Sequence, residues 1–118
     1  MNFGEALHLA KHGRLVARKG WNGKNMFVFL VPGSTFEVNR PPLLGIFPPG
    51  TVIDYRAHLD MRAADGSIGP WVASQTDMQA DDWVEVKGRF VPSTVTGRAE
   101  WVSDEQVSSG DSPDSREP

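Results

Sequence analysis

A chain of 118 residues, 39% of them hydrophobic, can form one domain with a modest core. No apolar run approaches the roughly 20 residues of a membrane helix, and the first residues lack the basic start and apolar stretch of a signal peptide. The absence of cysteine excludes disulfide bridges and thiolate metal sites. These features favour a cytoplasmic protein that does not enter a membrane.

The first residues predict a helix over 2–12. Asn2 can cap this helix, and Glu5, three residues later, completes a capping box. Apolar residues then recur on one helix face. Gly13 is expected to end the helix, because glycine adopts the left-handed conformation after a last turn at little cost.

Two strands and a proline-rich segment follow. Apolar residues at 14–18 and at 26–31 predict strands, the second buried on both faces, and Asn22-Gly23 between them is typical of a tight hairpin turn. Residues 32–50 contain five prolines and three glycines, which predicts a long ordered loop or arm. Its apolar content predicts that the arm packs on its own domain or on a neighbouring subunit.

The second half alternates between strands and turns. Residues 51–62 have period-two alternation, which predicts one half-buried strand, and a turn at 64–67 leads to its partner strand at 68–72. Residues 74–80 favour one or two helical turns, and 83–86 a further strand.

The predicted fold is α+β, a small antiparallel sheet of about four or five strands with an N-terminal helix and a short middle helix. The segment 90–102 is ambiguous and is interpreted as a last edge strand. We expect residues 1–102 to form a single ligand-binding domain that includes the arm. Residues 103–118, which hold five acids and one arginine from residue 104 onward, are predicted to be a disordered tail.

Charged residues cluster in two places. A basic patch can face solvent or attract a phosphate-bearing ligand; it comprises Lys11, Arg14, Arg18, Lys19 and Lys24. An acidic cluster could serve a metal or acid-base site but lacks the glycine and spacing of a calcium loop; it comprises Asp77, Asp81, Asp82 and Glu85. His8 and His12 are spaced to share a metal, yet no third ligand is indicated, so no metal site and no cofactor are predicted.

Two tryptophan-containing segments are the best candidates for ligand binding. Trp21 adjoins the Asn22-Gly23 turn, where an indole could stack on a base or simply cover a sheet edge. Trp71 precedes four polar residues at the start of the short helix, Ser74, Gln75, Thr76 and Asp77, which could bind a base and riboses or merely cap the helix. Arg56 is added as a charged residue on the open face of its strand.

Four motifs give the sequence a family resemblance. They are MNFGEAL at 1–7 with Gly13, VARKGWNGK at 16–24, PWVASQTDM at 70–78 and ADDW at 80–83. In this order they resemble the Thoeris anti-defence type-two family, a phage domain formerly of unknown function, over residues 1 to about 87. The resemblance does not extend to the proline-rich segment or to the residues after Lys87.

The resemblance implies a nucleotide sponge rather than an enzyme. Its members are homotetramers that hold cyclic ADP-ribose isomers made by bacterial TIR-domain enzymes, such as glycocyclic ADP-ribose, and some hold cyclic dinucleotides. They act in the cytoplasm of the infected or lysogenic host, without DNA, RNA or membrane partners. The motif positions carried over by resemblance are Trp21, Asn22, Trp71, Ser74, Gln75, Thr76 and Asp77.

Two other functions compete with this interpretation. The first is a phosphodiesterase or glycohydrolase that cleaves the same signal through Asp77 or Asp81. The second is a protein-binding accessory module that uses the proline-rich arm.

Overall fold

The first helix begins and ends where the sequence predicts. A computed structural model describes residues 1–21, 25–95 and 97–104, and α1 within it spans Phe3–Lys11. The Asn2 side chain accepts a hydrogen bond from the Glu5 amide at 2.8 Å, and the Glu5 carboxylate accepts one from the Asn2 amide at 2.9 Å. This reciprocal pair is the predicted capping box. Gly13 follows the helix with φ +85°.

The described residues contain eleven helices and strands. In chain order they are α1 (Phe3–Lys11), β1 (Leu15–Arg18), β2 (Phe27–Val31), β3 (Ser34–Glu37), β4 (Val52–Tyr55), β5 (His58–Arg62), β6 (Ile68–Pro70), α2 (Gln75–Gln79), β7 (Trp83–Val86), β8 (Gly88–Pro92) and β9 (Ala99–Ser103). Five strands form an antiparallel sheet in the order β6-β5-β2-β1-β7, and two separate pairs are β3-β4 and β8-β9. The predicted α+β class and the five-stranded sheet are confirmed.

The core lies between α1 and one face of the central sheet. Ala6 and Ala10 of the helix pack with Val16, Val28 and Trp83 of three adjacent strands, and all five are buried. Small residues on the helix let it approach the sheet closely, so the bulk of the core comes from the strands. This layer fixes the ends of β1 and β7, where the candidate site lies.

The other face of the sheet is covered by the β8-β9 hairpin. Because side chains alternate along a strand, Phe27 points away from α1, and its ring lies 6.3 Å from Phe90 and 5.7 Å from Trp101. Gly88 begins the hairpin directly against Trp101, and a Cβ there would overlap the indole. The single edge strand predicted over 90–102 is therefore wrong, because its two halves pair with each other instead.

The predicted strand over 51–62 is also wrong, since it is divided between two sheets. β4 pairs with β3 in the arm, whereas β5 pairs with β2 in the central sheet. Regular strand structure is interrupted at Arg56 and Ala57. The backbone of Gly33 lies so close to this link that a Cβ on it would be 2.9 Å from the Tyr55 carbonyl oxygen. Arg56 therefore lies in a link between strands and not on the open face of one.

The proline-rich arm is partly a strand. The prediction of a long loop over 32–50 missed β3, which pairs residue by residue with β4. Val38 is buried within the arm, whereas Phe36, Val52 and Tyr55 are exposed. The prolines on either side led to the prediction of a loop, although the residues of β3 between them form a strand. Together with β4, this segment forms a hairpin with apolar side chains on its surface, and the arm from here on means residues 32–55.

Other predicted elements are confirmed, and some lie outside the described residues. The turn at 64–67, the strands β6 and β7 and the short helix α2 form where expected. The Asn22-Gly23 turn and tail residues 105–118 lie outside the description, while Ser103 belongs to β9. The boundary of a single domain at residue 102 stays a prediction. Among the described helices, none is long and apolar enough to cross a membrane.

Candidate functional site

The structure brings the two predicted indoles together. The rings of Trp21 and Trp71 lie 6.3 Å apart at 71°, and each also packs edge-on against the buried Trp83, at 5.4 and 6.0 Å. Phe3 of α1 completes the cluster. We call these four residues the aromatic wall. Because its indoles are nearly perpendicular, they do not form a parallel clamp, and Trp21 and Trp71 are partly buried against the core.

Backbone and indole hydrogen bonds hold the wall in place. The Trp83 indole N–H donates to the carbonyl oxygen of Asp77 at 2.9 Å. The amide of Trp21 donates to the Arg18 carbonyl, and the amide of Trp71 donates to the Leu59 carbonyl. Trp83 is thus held through its indole, whereas Trp21 and Trp71 are held through their backbones, Trp21 in a local turn and Trp71 against β5.

Helix α2 begins beside the wall with a second capping box. Ser74 Oγ accepts from the Asp77 amide at 3.0 Å, and Asp77 Oδ2 accepts from the Ser74 amide at 3.1 Å. The capping alternative is therefore realised for these two side chains. Gln75 and Thr76 between them are exposed, and only Gln75 has a short-range side-chain contact, with Gln79 at 3.2 Å.

Arg18 joins this helix to the strand ends. Its Nη1 donates to Asp77 Oδ1 at 3.0 Å and its Nε to Asp82 Oδ1 at 2.8 Å, with the guanidinium mostly buried. The second oxygen of Asp82 accepts from the Gly20 amide, next to Trp21. We call Arg18, Asp77 and Asp82 the arginine clasp. It ties the segment before Trp21 to the helix after Trp71.

The clasp shifts the pKa of each of its groups towards the charged form. Burial alone would raise the pKa of Asp77, but hydrogen bonds from Ser74 and Arg18 outweigh it and lower that pKa. The hydrogen bond from Arg18 likewise lowers the pKa of Asp82, helped by the Gly20 amide. The pKa of Arg18 is raised by the same two carboxylates. All three side chains are therefore ionised at neutral pH.

The clasp predicts a loss of stability in acid. Since the pKa values of Asp77 and Asp82 are lower in the folded state than the ordinary 3.8, the stability they contribute is complete above about pH 4 and is lost as the pH falls through the folded values. We expect Asp77→Asn to lower the free energy of unfolding by about 1–3 kcal/mol at pH 7. The difference from the natural chain should shrink below pH 4 in urea unfolding curves.

Asp81→Asn is the matched control, because it removes the same charge from an exposed neighbour. It should leave unfolding at pH 7 within about 0.5 kcal/mol of the natural chain. An Asp77→Asn difference that stays constant from pH 7 to pH 2 would show that the carboxylate charge contributes nothing.

The basic patch and the acidic cluster largely neutralise each other. Arg14 pairs with Glu85 at 2.9 Å, and Arg18 pairs with the two carboxylates of the clasp. Lys11 and Lys19 are exposed, whereas Lys24 lies outside the described residues. His12 contacts the carbonyl of His8 through Nδ1. Across the described ranges, no group of three His, Asp or Glu could hold a metal ion.

An open cleft of about 380 Å³ lies beside the clasp. Its lining consists of Arg18, Gln75, Thr76, Gln79 and Ala80. Two of these, Gln75 and Thr76, are predicted site residues, and their side chains offer donors and acceptors to a ligand. The cleft thus places neutral polar side chains next to an arginine whose charge is paired with two carboxylates.

Arg56 is not part of this cleft. It lines a second open cleft, of about 450 Å³, with Tyr55, His58 and Pro70 at the base of the arm. Asn22 lies outside the described residues, so the structure does not place it. Of the predicted residues, Trp21, Trp71 and the segment 74–77 are brought to one region of the surface.

Sequence reasoning missed two residues that organise the site. Trp83 was interpreted only as a strand residue, although it contacts both other indoles. Arg18 was treated as one of a patch of free cations, whereas two carboxylates about 60 positions away bind it. Both residues lie in motifs of the family resemblance, Trp83 in ADDW and Arg18 in VARKGWNGK.

Comparison with known proteins identifies the family. Residues 1–86 match the model of the Tad2-like family, the Thoeris anti-defense 2-like domain. The chain is also 41% identical over 83 residues to a protein of Bacillus phage SP01 named Thoeris anti-defense 2, covering 70% of this chain and 91% of that protein. The chain belongs to the Thoeris anti-defense 2-like family.

The Thoeris anti-defense 2-like segment contains the whole candidate site. The aromatic wall, the arginine clasp and both clefts lie within residues 1–86. The β8-β9 hairpin begins at Gly88, beyond the matched segment. The hairpin thus lies outside the matched residues and packs on the sheet that they form.

Proposed function

We propose that this protein is a phage anti-defence protein that binds and sequesters cyclic nucleotide immune signals without degrading them. Its ligands are cyclic ADP-ribose isomers such as glycocyclic ADP-ribose, with cyclic dinucleotides as a second class, and it acts in the cytoplasm of the bacterial host. Capture of the signal blocks Thoeris-type defence. Family membership carries this proposal, and the aromatic wall beside an open polar cleft supports it.

The proposed binding mode assigns separate tasks to the wall and the cleft. The exposed face of an indole, above all Trp71, stacks on the base, an interaction worth about 1–3 kcal/mol in nucleic-acid complexes. Gln75 and Thr76 hydrogen-bond the base edge and ribose hydroxyls. Ser74 and Asp77 shape this segment through their capping box and the arginine clasp.

The phosphates of the ligand need cations other than Arg18. Its Nε and one Nη donor are already directed at Asp82 and Asp77, so it meets a ligand as part of a cluster whose net charge is negative. The exposed Lys19, adjacent to the clasp, is the cation that we assign to the pyrophosphate.

The geometry argues against Asp77 as the general acid of a hydrolase. Asp77, one of the two carboxylates through which a hydrolase would act, is paired with Arg18, and its lowered pKa keeps it ionised at neutral pH. A general acid needs a pKa near the working pH, and its protonated form must be available to the leaving group. Asp77 therefore serves as a structural anion in this proposal.

Assembly as a homotetramer completes the proposed site. High affinity without chemistry requires a pocket that buries most of the ligand, and the two clefts lined by predicted site residues are open. The arm carries exposed apolar side chains that suit subunit contacts, namely Phe36, Ile46, Phe47, Val52 and Tyr55. Arg56 lies at the base of this arm, where a neighbouring copy would bring it to a shared ligand.

Native mass spectrometry with a panel of cyclic ADP-ribose isomers and cyclic dinucleotides tests the proposal. We expect ligand-bound tetramers and, after heat denaturation of the protein, full recovery of intact ligand. Breakdown products would instead establish the phosphodiesterase or glycohydrolase. Absence of binding to every nucleotide would reject the sponge, and a stable complex with a host or phage protein would then identify the accessory module.

A further inference from the structure

Two histidines lie one helical turn apart on the exposed side of α1. His8 and His12 are both exposed, and their ring centres are 4.4 Å apart. The helix packs on the sheet through Ala6 and Ala10, so the two imidazoles lie outside the core and belong to neither the aromatic wall nor the arginine clasp. They are a pair of nitrogen ligands that the proposed function does not use.

The way in which α1 ends fixes the tautomer of His12. The amide of His12 donates to the carbonyl of Leu9 at 2.9 Å, three residues back and not four. Helix ends leave carbonyl oxygens without a regular amide partner, and the His8 carbonyl is contacted by the Nδ1 of His12 at 2.8 Å instead. Because a carbonyl oxygen can only accept, Nδ1 carries the hydrogen in this contact. The lone pair of the neutral imidazole is then on Nε2, the nitrogen farther from the backbone.

The same arrangement is found in histidines that bind metal ions. A metal-binding imidazole commonly donates its other ring N–H to a carbonyl or carboxylate, which orients the ring and makes the binding nitrogen more basic. Rings whose centres are 4.4 Å apart can each bring one nitrogen to a common ion at a metal–nitrogen distance of about 2.0–2.1 Å. The negative end of the helix dipole at the last turn of α1 also favours a cation there.

The other coordination positions of such an ion face solvent. Glu5, one turn before His8, is directed to the Asn2 amide by the capping box, and no third His, Asp or Glu among the described residues joins the pair. His8 lines an open cleft of about 510 Å³ along α1, which gives water access to its ring. Two imidazoles and water molecules make a site whose ion exchanges readily.

We infer that His8 and His12 form a binding site for a divalent transition-metal ion of the class of Zn²⁺, Ni²⁺ and Cu²⁺. Imidazole nitrogens select these ions, whereas Mg²⁺ and Ca²⁺ prefer oxygen ligands. Lys11, next to His12 in the chain, is an exposed cation that weakens the site by repulsion, while Arg14 is already paired with Glu85. The inference does not rest on the proposed nucleotide ligand.

Calorimetry of the full chain with the chlorides of Zn²⁺, Ni²⁺ and Mg²⁺ at neutral pH tests the inference. We expect one Zn²⁺ or Ni²⁺ per chain and no binding of Mg²⁺. His8→Gln should weaken Zn²⁺ binding about 100-fold, because the second ligand of a chelate acts at a high effective concentration. His12→Asn should have the same effect, and its amide can still donate to the His8 carbonyl, so the end of α1 is kept.

His58→Gln is the matched control, because it removes the third histidine of the chain, and it should leave Zn²⁺ affinity unchanged. In nuclear magnetic resonance spectra of the natural chain, Zn²⁺ should shift the ring signals of His8 and His12 but not those of His58, which tests the site without a substitution. Equal Zn²⁺ affinity in His8→Gln, or Mg²⁺ binding as tight as that of Zn²⁺, would mean that carboxylates collect the cations and would overturn the inference. Absence of Zn²⁺ binding to the natural chain would overturn it as well.

Discussion

Trp71→Ala is expected to weaken binding of the cyclic nucleotide by roughly 5- to 150-fold while the fold is retained. In the proposed mode the Trp71 indole stacks on the base, and loss of one such stack costs about 1–3 kcal/mol. The residue lies between β6 and α2 and is only partly buried, so its removal leaves the five buried core residues in place. Calorimetry at a temperature well below the unfolding midpoint measures the effect without interference from unfolding.

Two further variants separate stacking from general loss of apolar surface. Trp71→Phe keeps an aromatic face and should retain most of the affinity. Val72→Ala removes an apolar side chain that is 88% exposed at the next position, and it should bind as the natural chain does. Unchanged affinity in Trp71→Ala would place the base elsewhere and would leave Trp71 with a purely structural role in the aromatic wall.

Local sequence signals predicted the elements whose causes are local. Asn2 and Glu5 formed their capping box because the two side chains need only each other's backbone. Ser74 and Asp77 did the same at α2, and β7 was predicted with its observed bounds for an equally short-range reason, a run of four strand-forming residues. These signals were enough for the α+β class.

The errors occurred where distant parts of the chain decide the structure. The alternation over 51–62 is continuous in sequence, but its two halves pair with different strands, and Gly33 lies close to the link between them. The hairpin over 88–103 depends on pairing between Phe90 and Trp101, with an aromatic partner on β2. Neither Gly33 nor Phe27 carries a sequence signal for these contacts.

The candidate site was predicted by its residue types but not by its geometry. The tryptophans and the polar segment 74–77 stood out because they are dense in specific side chains, and the structure brings them to one region. Their mutual orientation follows from Trp83, which is buried between them. The ion pairs of Arg18 could not be predicted, because the sequence does not show which carboxylates lie next to a given cation.

Trp83→Ala is expected to cause the largest loss of stability of any single change in the aromatic wall. The residue is 1% exposed, contacts Phe3 and both other indoles, and donates its indole N–H to the Asp77 carbonyl. Replacing a buried tryptophan by alanine costs about 3–5 kcal/mol. Because a domain has only about 5–15 kcal/mol of stability in total, this loss removes a large share of it, and urea unfolding would measure the difference.

Trp83→Phe tests the same position in a chain that stays folded. It keeps an aromatic ring but removes the indole donor of the Asp77 carbonyl, which then keeps only the longer hydrogen bond from the Ala80 amide, and we expect a loss of about 1–2 kcal/mol. Met78→Ala, at an exposed position of α2, should change stability by less than about 0.5 kcal/mol.

A ligand that binds only the folded state stabilises it by an amount that grows with the logarithm of its concentration relative to its Kd. Saturating cyclic nucleotide should therefore raise the unfolding midpoint of Trp83→Phe as well as that of the natural chain. A smaller rise in the variant would measure how far the orientation of the wall by Trp83 contributes to binding itself.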